Sequence, residues 1–163
     1  MRQFPLSLVA AAACLACSDS LTPAPTPSLL LGHWSAAPEA EQPSGSFERR
    51  FVFTSDGRFS YVTLSYGIYA GESPTELSGY TRTTGVFLTE SAHLVLLPDS
   101  LITWDRFYGG ASPETVHTPY PYGNTFFFDS AQYTIDGDRL TLQYISYPAD
   151  APVPTTQEFQ RQP

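Results

Sequence analysis

Side chains that could support catalysis are few in this sequence and lie far apart. The three histidines, His33, His93 and His117, fall in separate segments, and no two of them have the spacing of metal ligands. Glycoside hydrolysis needs two facing carboxylates, and nothing marks a pair among the glutamates of loop-like sequence. Those glutamates are Glu39, Glu41, Glu72, Glu76 and Glu114. We therefore expect no metal site and no glycosidase site, with the histidines exposed at the surface.

Nucleophilic chemistry has equally little support. The sequence contains no G-x-S-x-G motif and no glycine-rich phosphate-binding motif. All eight basic residues are arginine, which excludes Schiff-base chemistry through lysine. We therefore predict that the protein is not an enzyme and has no cofactor.

Aromatic residues are the most prominent remaining feature, with 11 Phe, 10 Tyr and 2 Trp. Packing explains most of them, because aromatic side chains fill the interior of β-sheet proteins. One group could instead line the mouth of a ligand pocket, where neighbouring prolines would stiffen the loop that carries two tyrosines. The candidate ligand-binding residues are Trp104, Phe107, Tyr108, Tyr120 and Tyr122. The alternative is that this loop only plugs one end of the domain.

The N-terminus has the layout of a signal peptide. Arg2 precedes an apolar run from Phe4 to Leu15, and this run is shorter than the roughly 20 residues of a membrane-spanning helix. The alternating prolines of residues 18–28 then predict a semi-rigid tether. We expect a signal peptide over residues 1–17, a tether over 18–28 and one domain over 29–163.

Cys17 ends the apolar segment and follows the small residue Ala16. This arrangement resembles the lipobox of bacterial lipoproteins, in which a cysteine is acylated and becomes the new N-terminus. The resemblance implies lipidation of Cys17 and attachment to the outer membrane of a Gram-negative bacterium, on either its periplasmic or its outer side. Ordinary cleavage after Ala16 is the alternative. The other cysteine, Cys14, also lies in this N-terminal segment, so the domain has no thiol for a disulfide or a metal site.

The formal net charge is −8 at pH 7, which argues against binding to nucleic acid. Short runs rich in Thr, Val, Tyr and Phe alternate with Gly, Pro, Asp and Ser, and this pattern predicts an all-β domain. Two Asp-Gly turns, at Asp56-Gly57 and Asp136-Gly137, are well suited to tight hairpins. We expect a further turn at Pro98–Ser100, a bulge or a strongly curved strand where the apolar phase of the strand 58–66 changes, and no strand within 109–124. Phe47, Phe51 and Phe53 share one strand face, and Arg49 lies on that face too.

Eight or nine strands in meander order are enough to close an antiparallel barrel. Several short motifs support this architecture: Gly32-x-Trp34, Phe51-x-Phe53-x-x-Asp56-Gly57-x-Phe59, Tyr133-x-Ile135-x-Gly137-Asp138-x-Leu140-x-Leu142 and Phe159-x-Arg161. Together they resemble the lipocalin-like, or calycin, barrel domains of bacterial envelope lipoproteins. The resemblance implies structural roles for Gly32, Trp34 and Arg161, with Trp34 closing the barrel bottom and Arg161 lying across it.

Two functions follow from this interpretation. The first is a binding module, in which a small apolar or amphiphilic ligand occupies the barrel and residues 109–124 form a lid. The second is a structural or interaction lipoprotein with a filled barrel. A continuous cavity of about 300 Å³ or more would favour the first function, and a barrel packed solid by Phe and Tyr would exclude it.

Overall fold

The computed structural model describes residues 28–37, 39–40, 45–106, 113–121, 130–147 and 151–163. These residues form ten β-strands joined by turns and loops, and no helix occurs among them. The strands are β1 Gly32–Ser35, β2 Glu39–Ala40, β3 Ser46–Phe53, β4 Arg58–Tyr66, β5 Leu77–Glu90, β6 His93–Asp105, β7 Thr115–His117, β8 Ser130–Asp136, β9 Arg139–Ser146 and β10 Val153–Gln162. The predicted signal peptide, all of the predicted tether except Ser28, and the strand expected at Phe126–Phe128 lie outside the described residues.

Eight of the strands close into an antiparallel barrel, and all of their pairings are antiparallel. Neighbours along the barrel are mostly neighbours in sequence, running from β3 to β6 and from β8 to β10. The short strand β1 completes the ring because it pairs with β10 on one side and with β3 on the other. Strands β2 and β7 are short additions to β3 and β6. The predicted all-β meander barrel is confirmed.

The strand registers divide the side chains into an inner and an outer set. Phe51 on β3 lies opposite Tyr61 on β4, which lies opposite Thr83 on β5 and then Leu101 on β6, and all four are buried. The inner side chains nearest one end of the barrel form a solid core, which we call the packed half. Its main members are Trp34, Phe51, Phe53, Phe59, Phe87, Leu94, Leu96, Leu140, Leu142 and Phe159.

Ring contacts hold the packed half together. Phe51 stacks on Phe53 with ring centroids 5.2 Å apart, and it meets Phe159 edge-on at 5.3 Å. Phe53 in turn meets the ring of Phe87 edge-on at 5.0 Å. Such pairs contribute about 0.5–1.5 kcal/mol each beyond the burial of their area. The packed half is therefore an aromatic core held by specific ring contacts.

Trp34 and Arg161 lie at the end of the packed half. The guanidinium carbon of Arg161 is 4.1 Å from the centroid of the Trp34 ring, the arrangement that the lipocalin resemblance implies. The indole nitrogen of Trp34 donates to the carbonyl of Leu30 at 2.8 Å, and the Arg161 side chain donates to the carbonyls of Leu29 and Leu31. Residues 29–31 are thereby held across the barrel end.

The expected turn at Pro98–Ser100 is wrong, because β6 runs without a break from His93 to Asp105. The register between β5 and β6 shifts near Gly85, which pairs with Pro98. A Cβ atom at Gly85 would lie 2.1 Å from the carbonyl oxygen of Leu97. Asp99 is therefore the extra residue of a bulge beside Pro98, where Gly85 leaves room for the backbone, and the two predicted strands are one long strand.

The structure corrects two further expectations about the strands, the bulge at the phase change of β4 and the lack of a strand within 109–124. The apolar phase change in β4 does not mark a bulge at that point, because Phe59 and Tyr61 face inward while Val62 and Leu64 face outward in a regular ladder. The register of β4 shifts only between Ser65 and Tyr66. Residues 109–124 were expected to contain no strand, yet β7 pairs there with Leu101–Thr103 of β6. Among the described residues, no helix has the length and apolar character that spanning a membrane requires.

Candidate functional site

A cavity of about 310 Å³ lies in the half of the barrel beyond the packed core, and it opens to solvent. Strands β3 and β4 supply one wall, and β9 and β10 supply the opposite wall. The described lining residues are Arg49, Tyr61, Tyr144, Ser146, Thr155, Thr156 and Gln157. We call this space the barrel cavity.

The same alternation that builds the core also aims side chains into the barrel cavity. Arg49 precedes Phe51 by two residues on β3, so both side chains point inward. Tyr144 follows the buried Leu142 by two residues on β9, and Gln157 lies opposite Leu142 on β10. Apart from Thr156, which alternates outward between Thr155 and Gln157, the lining residues continue inward rows that begin in the packed half. The packed core therefore forms the floor of the cavity.

Hydrogen bonds organise the wall formed by β9 and β10. The Tyr144 hydroxyl donates to Oε1 of Gln157 at 3.3 Å, and the hydroxyls of Ser146 and Thr155 lie 2.6 Å apart. Gln157 is only 8% exposed. On the opposite wall, the Tyr61 ring lies 4.5 Å from the ring of Phe51 and so connects the cavity to the core. These contacts hold polar side chains in place around the space.

The lining defines what the barrel cavity can bind. A guanidinium, two phenols, three further hydroxyl groups and an amide border it, and its described lining contains no carboxylate. This lining differs from the apolar walls expected for a lipocalin-like calyx. Polar groups that surround an aromatic floor suit a small molecule with at least one polar end.

The predicted ligand-binding residues are only partly within the described chain. Trp104 on β6 pairs with Tyr80 on β5, and their rings stack with centroids 5.9 Å apart. The side chains of Tyr80 and Trp104 lie on the outer face of the barrel, whereas the adjacent pair, Thr81 and Thr103, faces inward. Leu77, Tyr80, Trp104 and Glu114 line a separate outer groove of about 330 Å³, in which the Tyr80 hydroxyl donates to Glu114.

Of the other residues predicted to line the mouth of the pocket, only Tyr120 belongs to the described residues. Tyr120 is half-buried in the segment 113–121, whereas Phe107, Tyr108 and Tyr122 lie outside the described residues. The structure brings Trp104 to the outer groove and not to the lining of the barrel cavity. Ligand binding by this group stays a prediction.

The three histidines are all exposed and lie on three different strands. Within the described ranges, no three His, Cys, Asp or Glu side chains come together as a metal site would require. Glu72 and Glu76 approach each other through a shared ion-pair partner, Arg106, at the loop that precedes β5. Glu72 also accepts hydrogen bonds from the Ser78 hydroxyl and from the backbone nitrogen of Tyr69. This cluster anchors the loop to the barrel.

Sequence reasoning placed Arg49 on the face of Phe51 and Phe53 but did not identify it as a cavity residue. The sequence signal for this position was a charged residue within a row of inward-facing apolar residues. Tyr144 and Gln157 carried no comparable signal, because alternating polar and apolar residues are ordinary in a half-exposed strand. Their role depends on which strands face each other across the barrel.

The fold and the cavity together define a class, a small closed β-barrel with a polar interior pocket. No family model matches the chain, and no curated protein matches it. Among solved structures, the chain is similar to Rv2717c from M. tuberculosis, whose structure was determined by crystallography. The two are 13% identical, the match covers 83% of this chain and 94% of that chain, and the TM-score is 0.35. A similarity at this level carries no argument about function.

Proposed function

We propose that this protein is a non-catalytic binding module that holds one small ligand in the open half of its barrel. The observation that supports this proposal is the cavity of about 310 Å³ above a solid aromatic floor. Its volume falls at the lower end of the range of about 300–1,000 Å³ that is usual for small-molecule sites. The ligand would enter only as far as Tyr61 and Gln157, so a long chain that threads the barrel is excluded.

A cavity of about 300 Å³ would favour a binding module, and a solidly packed barrel would favour a structural role. This barrel has both features, in different halves. The packed half is solid, as a structural barrel would be, while the open half contains a cavity of the size expected for a carrier. Polar lining further narrows the predicted ligand from an apolar one to an amphiphilic or polar one. We propose a lipocalin-like carrier whose ligand is short.

The proposed setting is the bacterial envelope, with Cys17 as the lipid anchor and residues 18–28 as the tether. The closed barrel and the Trp34–Arg161 contact agree with the lipocalin-like resemblance on which this setting partly rests. The mass of the mature N-terminus tests it directly. Diacyl or triacyl modification of Cys17 is the expected result, and an unmodified N-terminal Cys17 would reject the anchor.

Native mass spectrometry of the full protein purified from its own host tests the binding proposal. We expect a bound small molecule in the wild type and its loss in Thr155→Trp, because the indole would fill the barrel cavity. Thr141→Trp is the matched control, since Thr141 lies on the outer face of β9, opposite Glu158. A wild-type protein without any bound molecule, or equal occupancy in both variants, would reject the proposal.

A second candidate function is an interaction or structural lipoprotein, and one feature of the outer surface favours it. Val86 and Leu88 on β5 and Leu97 on β6 are 38%, 51% and 43% exposed, and Val86 pairs directly with Leu97. Neighbouring exposed apolar side chains can mark a contact surface. If this candidate is correct, Leu88→Ser with Leu97→Ser would remove a co-purifying protein while leaving ligand occupancy of the cavity unchanged.

A further inference from the structure

We infer that the ligand of the barrel cavity is an extended peptide segment. The segment adds to one edge of β10 as an extra strand and inserts a side chain into the cavity. This inference rests on the proposed function and adds the chemical class of the ligand. It also assigns a binding role to the backbone of β10, in addition to the side chains that line the cavity.

The wall of the barrel is incomplete beside β10. Strand β1 covers only residues 160–162 of β10, which pair with residues 33–35. The next strand, β2, pairs with β3 and stands at the end of the described strand order. Among the described residues, positions 153–159 of β10 therefore have a ladder partner on the β9 side and none on the other side. We call this stretch the free edge of β10, and the gap between it and β2 the seam.

The free edge presents backbone hydrogen-bonding groups to the seam. The backbone nitrogen of Arg161 donates to the carbonyl of Asp138, the residue before β9, at 2.7 Å. In an antiparallel ladder, consecutive residues point their N–H and C=O groups to opposite sides. Those of Thr156 and Glu158 therefore point away from β9 and into the seam. Pro154 belongs to the same series, and its lack of an N–H is tolerated because the ladder with β9 takes its donors from the alternate residues.

The barrel cavity extends to the seam. Its described lining comes from β3 and β4 on one side of the seam and from β9 and β10 on the other. Three consecutive residues of β10 border it, of which Thr155 and Gln157 face inward and Thr156 faces outward. A space that contacts residues from both faces of one strand must pass around the edge of that strand. A strand added at the free edge would therefore lie directly beside the cavity.

An extended peptide matches both parts of this site. Its backbone can pair with the N–H and C=O groups that the free edge directs into the seam, as in other cases of strand addition. Every second side chain of an added strand would point into the barrel. Hydroxyls of Ser146 and Thr155 and the amide of Gln157 border the space that this side chain would enter. Backbone pairing then supplies affinity, and the cavity selects the side chain.

Charge favours a peptide of another protein over a second copy of this chain. The formal net charge is −8, so two copies repel each other. A ladder between the β10 strands of two copies would also contain Pro154 twice, each time without a donor. Glu158 is exposed on the outer face of the same strand, opposite Thr141 of β9. A basic residue on the outer face of the added peptide would complement it.

Backbone methylation of a peptide tests strand addition without altering the protein. The probe is the capped peptide acetyl-Lys-Tyr-Thr-Tyr-Lys-amide, whose tyrosines share one face and whose lysines and threonine share the other. Isothermal titration calorimetry on the full purified protein would compare it with two versions, one N-methylated at the tyrosines and one at the lysines and threonine. One version should bind about tenfold more weakly or worse, because its hydrogen bonds to β10 are lost. Equal affinity of all three peptides, or no binding of the unmethylated peptide, would overturn the inference.

A variant of β10 then assigns the effect to the free edge. Thr156→Pro removes an N–H that points into the seam and leaves the donors of the β9 ladder in place, so it should weaken binding of the unmethylated peptide about tenfold or more. Thr156→Val is the matched control, because it keeps the N–H and the shape of the side chain. The unfolding midpoint of each variant establishes that it is folded. Unchanged affinity in folded Thr156→Pro would contradict the inference, as would a peptide-free dimer of the wild type that Thr156→Pro separates in analytical ultracentrifugation.

Thr155→Trp separates this inference from the proposed function. Its indole should fill the barrel cavity, so we expect it to remove the ligand acquired in the host and also to weaken the peptide. If it removes the host ligand while methylation of the peptide has no effect, strand addition is overturned and the proposed function stands. A bound peptide whose affinity is the same in Thr155→Trp would overturn insertion of a side chain into the cavity. If the peptide does not bind and the protein from its host carries no ligand, both are overturned.

Discussion

The guanidinium of Arg161, on the last strand, lies 4.1 Å from the ring centroid of Trp34, on the first strand. The two residues are also direct partners in the ladder between β10 and β1. Arg161 donates to the carbonyls of Leu29 and Leu31 at 2.6 and 2.7 Å, so a single side chain joins the last strand, the first strand and the segment before it. This contact seals the packed half.

Replacing Arg161 by alanine should destabilise the protein by about 2–3 kcal/mol, because the cation–π contact and two charge-assisted hydrogen bonds are lost. Arg161→Lys should recover only part of the loss, since an ammonium cannot reach both carbonyls with the same planar fork. Urea unfolding measures both changes. Gln160→Ala, at an exposed neighbouring position, is the control, and an Arg161→Ala effect no larger than the control effect would contradict the role described for Arg161.

Gly32→Ala should also destabilise the closed end. Gly32 has a φ of +120°, and a Cβ atom there would lie 3.0 Å from Nη1 of Arg161. The steric part of the cost should therefore decrease when Arg161 is already alanine, while the backbone strain remains. A double-mutant cycle by urea unfolding tests this coupling. Fully additive effects would show that the two positions do not interact.

Gly85→Ala should cost about 3 kcal/mol of stability, because overpacking against backbone leaves little room for relaxation. The added Cβ would lie 2.1 Å from the carbonyl oxygen of Leu97 and 2.8 Å from Cα of Pro98. Thr134→Ala, at an exposed outward position of β8, should change stability by less than about 0.5 kcal/mol. Thermal unfolding measures the midpoints of both variants, and equal midpoints would show that the bulge tolerates a side chain.

The carboxylate of Glu48 should make stability depend on pH in the acid range. Hydrogen bonds from Arg50, at 2.7 and 2.8 Å, and from Ser35 hold the pKa of Glu48 below its usual value of 4.5, against an opposing effect of burial. A lowered pKa in the folded state contributes stability that is present above the unfolded value and is lost as the pH falls through the folded value.

Glu48→Gln should therefore be less stable than the wild type at pH 7, and the difference should shrink as the pH falls below 4.5. Urea unfolding at a series of pH values measures the difference. Glu158→Gln, which alters a carboxylate at an exposed position of β10, is the matched control. A difference for Glu48→Gln that stays constant down to about pH 3 would contradict the assignment.

The sequence predicted the features that are set locally. The Asp56-Gly57 turn forms with a φ of +79° at Gly57, and the Tyr133-to-Leu142 motif forms a hairpin in which Tyr133 lies opposite Leu142. Turn chemistry and two-residue periodicity determine such features, so a single chain segment is enough to recognise them.

Features that depend on distant segments were missed. Pro98 was interpreted as a turn because the accommodating residue, Gly85, lies on another strand. The residues that line the barrel cavity were missed for the same reason, since Arg49 and Gln157 border one space only after β1 closes the ring. Local sequence shows which side chains face inward, but the closed ring determines which of them face one another.

The division of the barrel into a packed half and an open half has an evolutionary consequence. Aromatic contacts around Phe51 and Phe53 hold the packed half, while the residues that line the barrel cavity lie two to four positions from core residues on strands that also build this core. Under the proposed function, substitutions at Ser146 or Thr155 are expected to change ligand specificity without weakening the aromatic core. Under the same function, the ligand of such a barrel could therefore change through a few substitutions near the rim while the packed half stays unaltered.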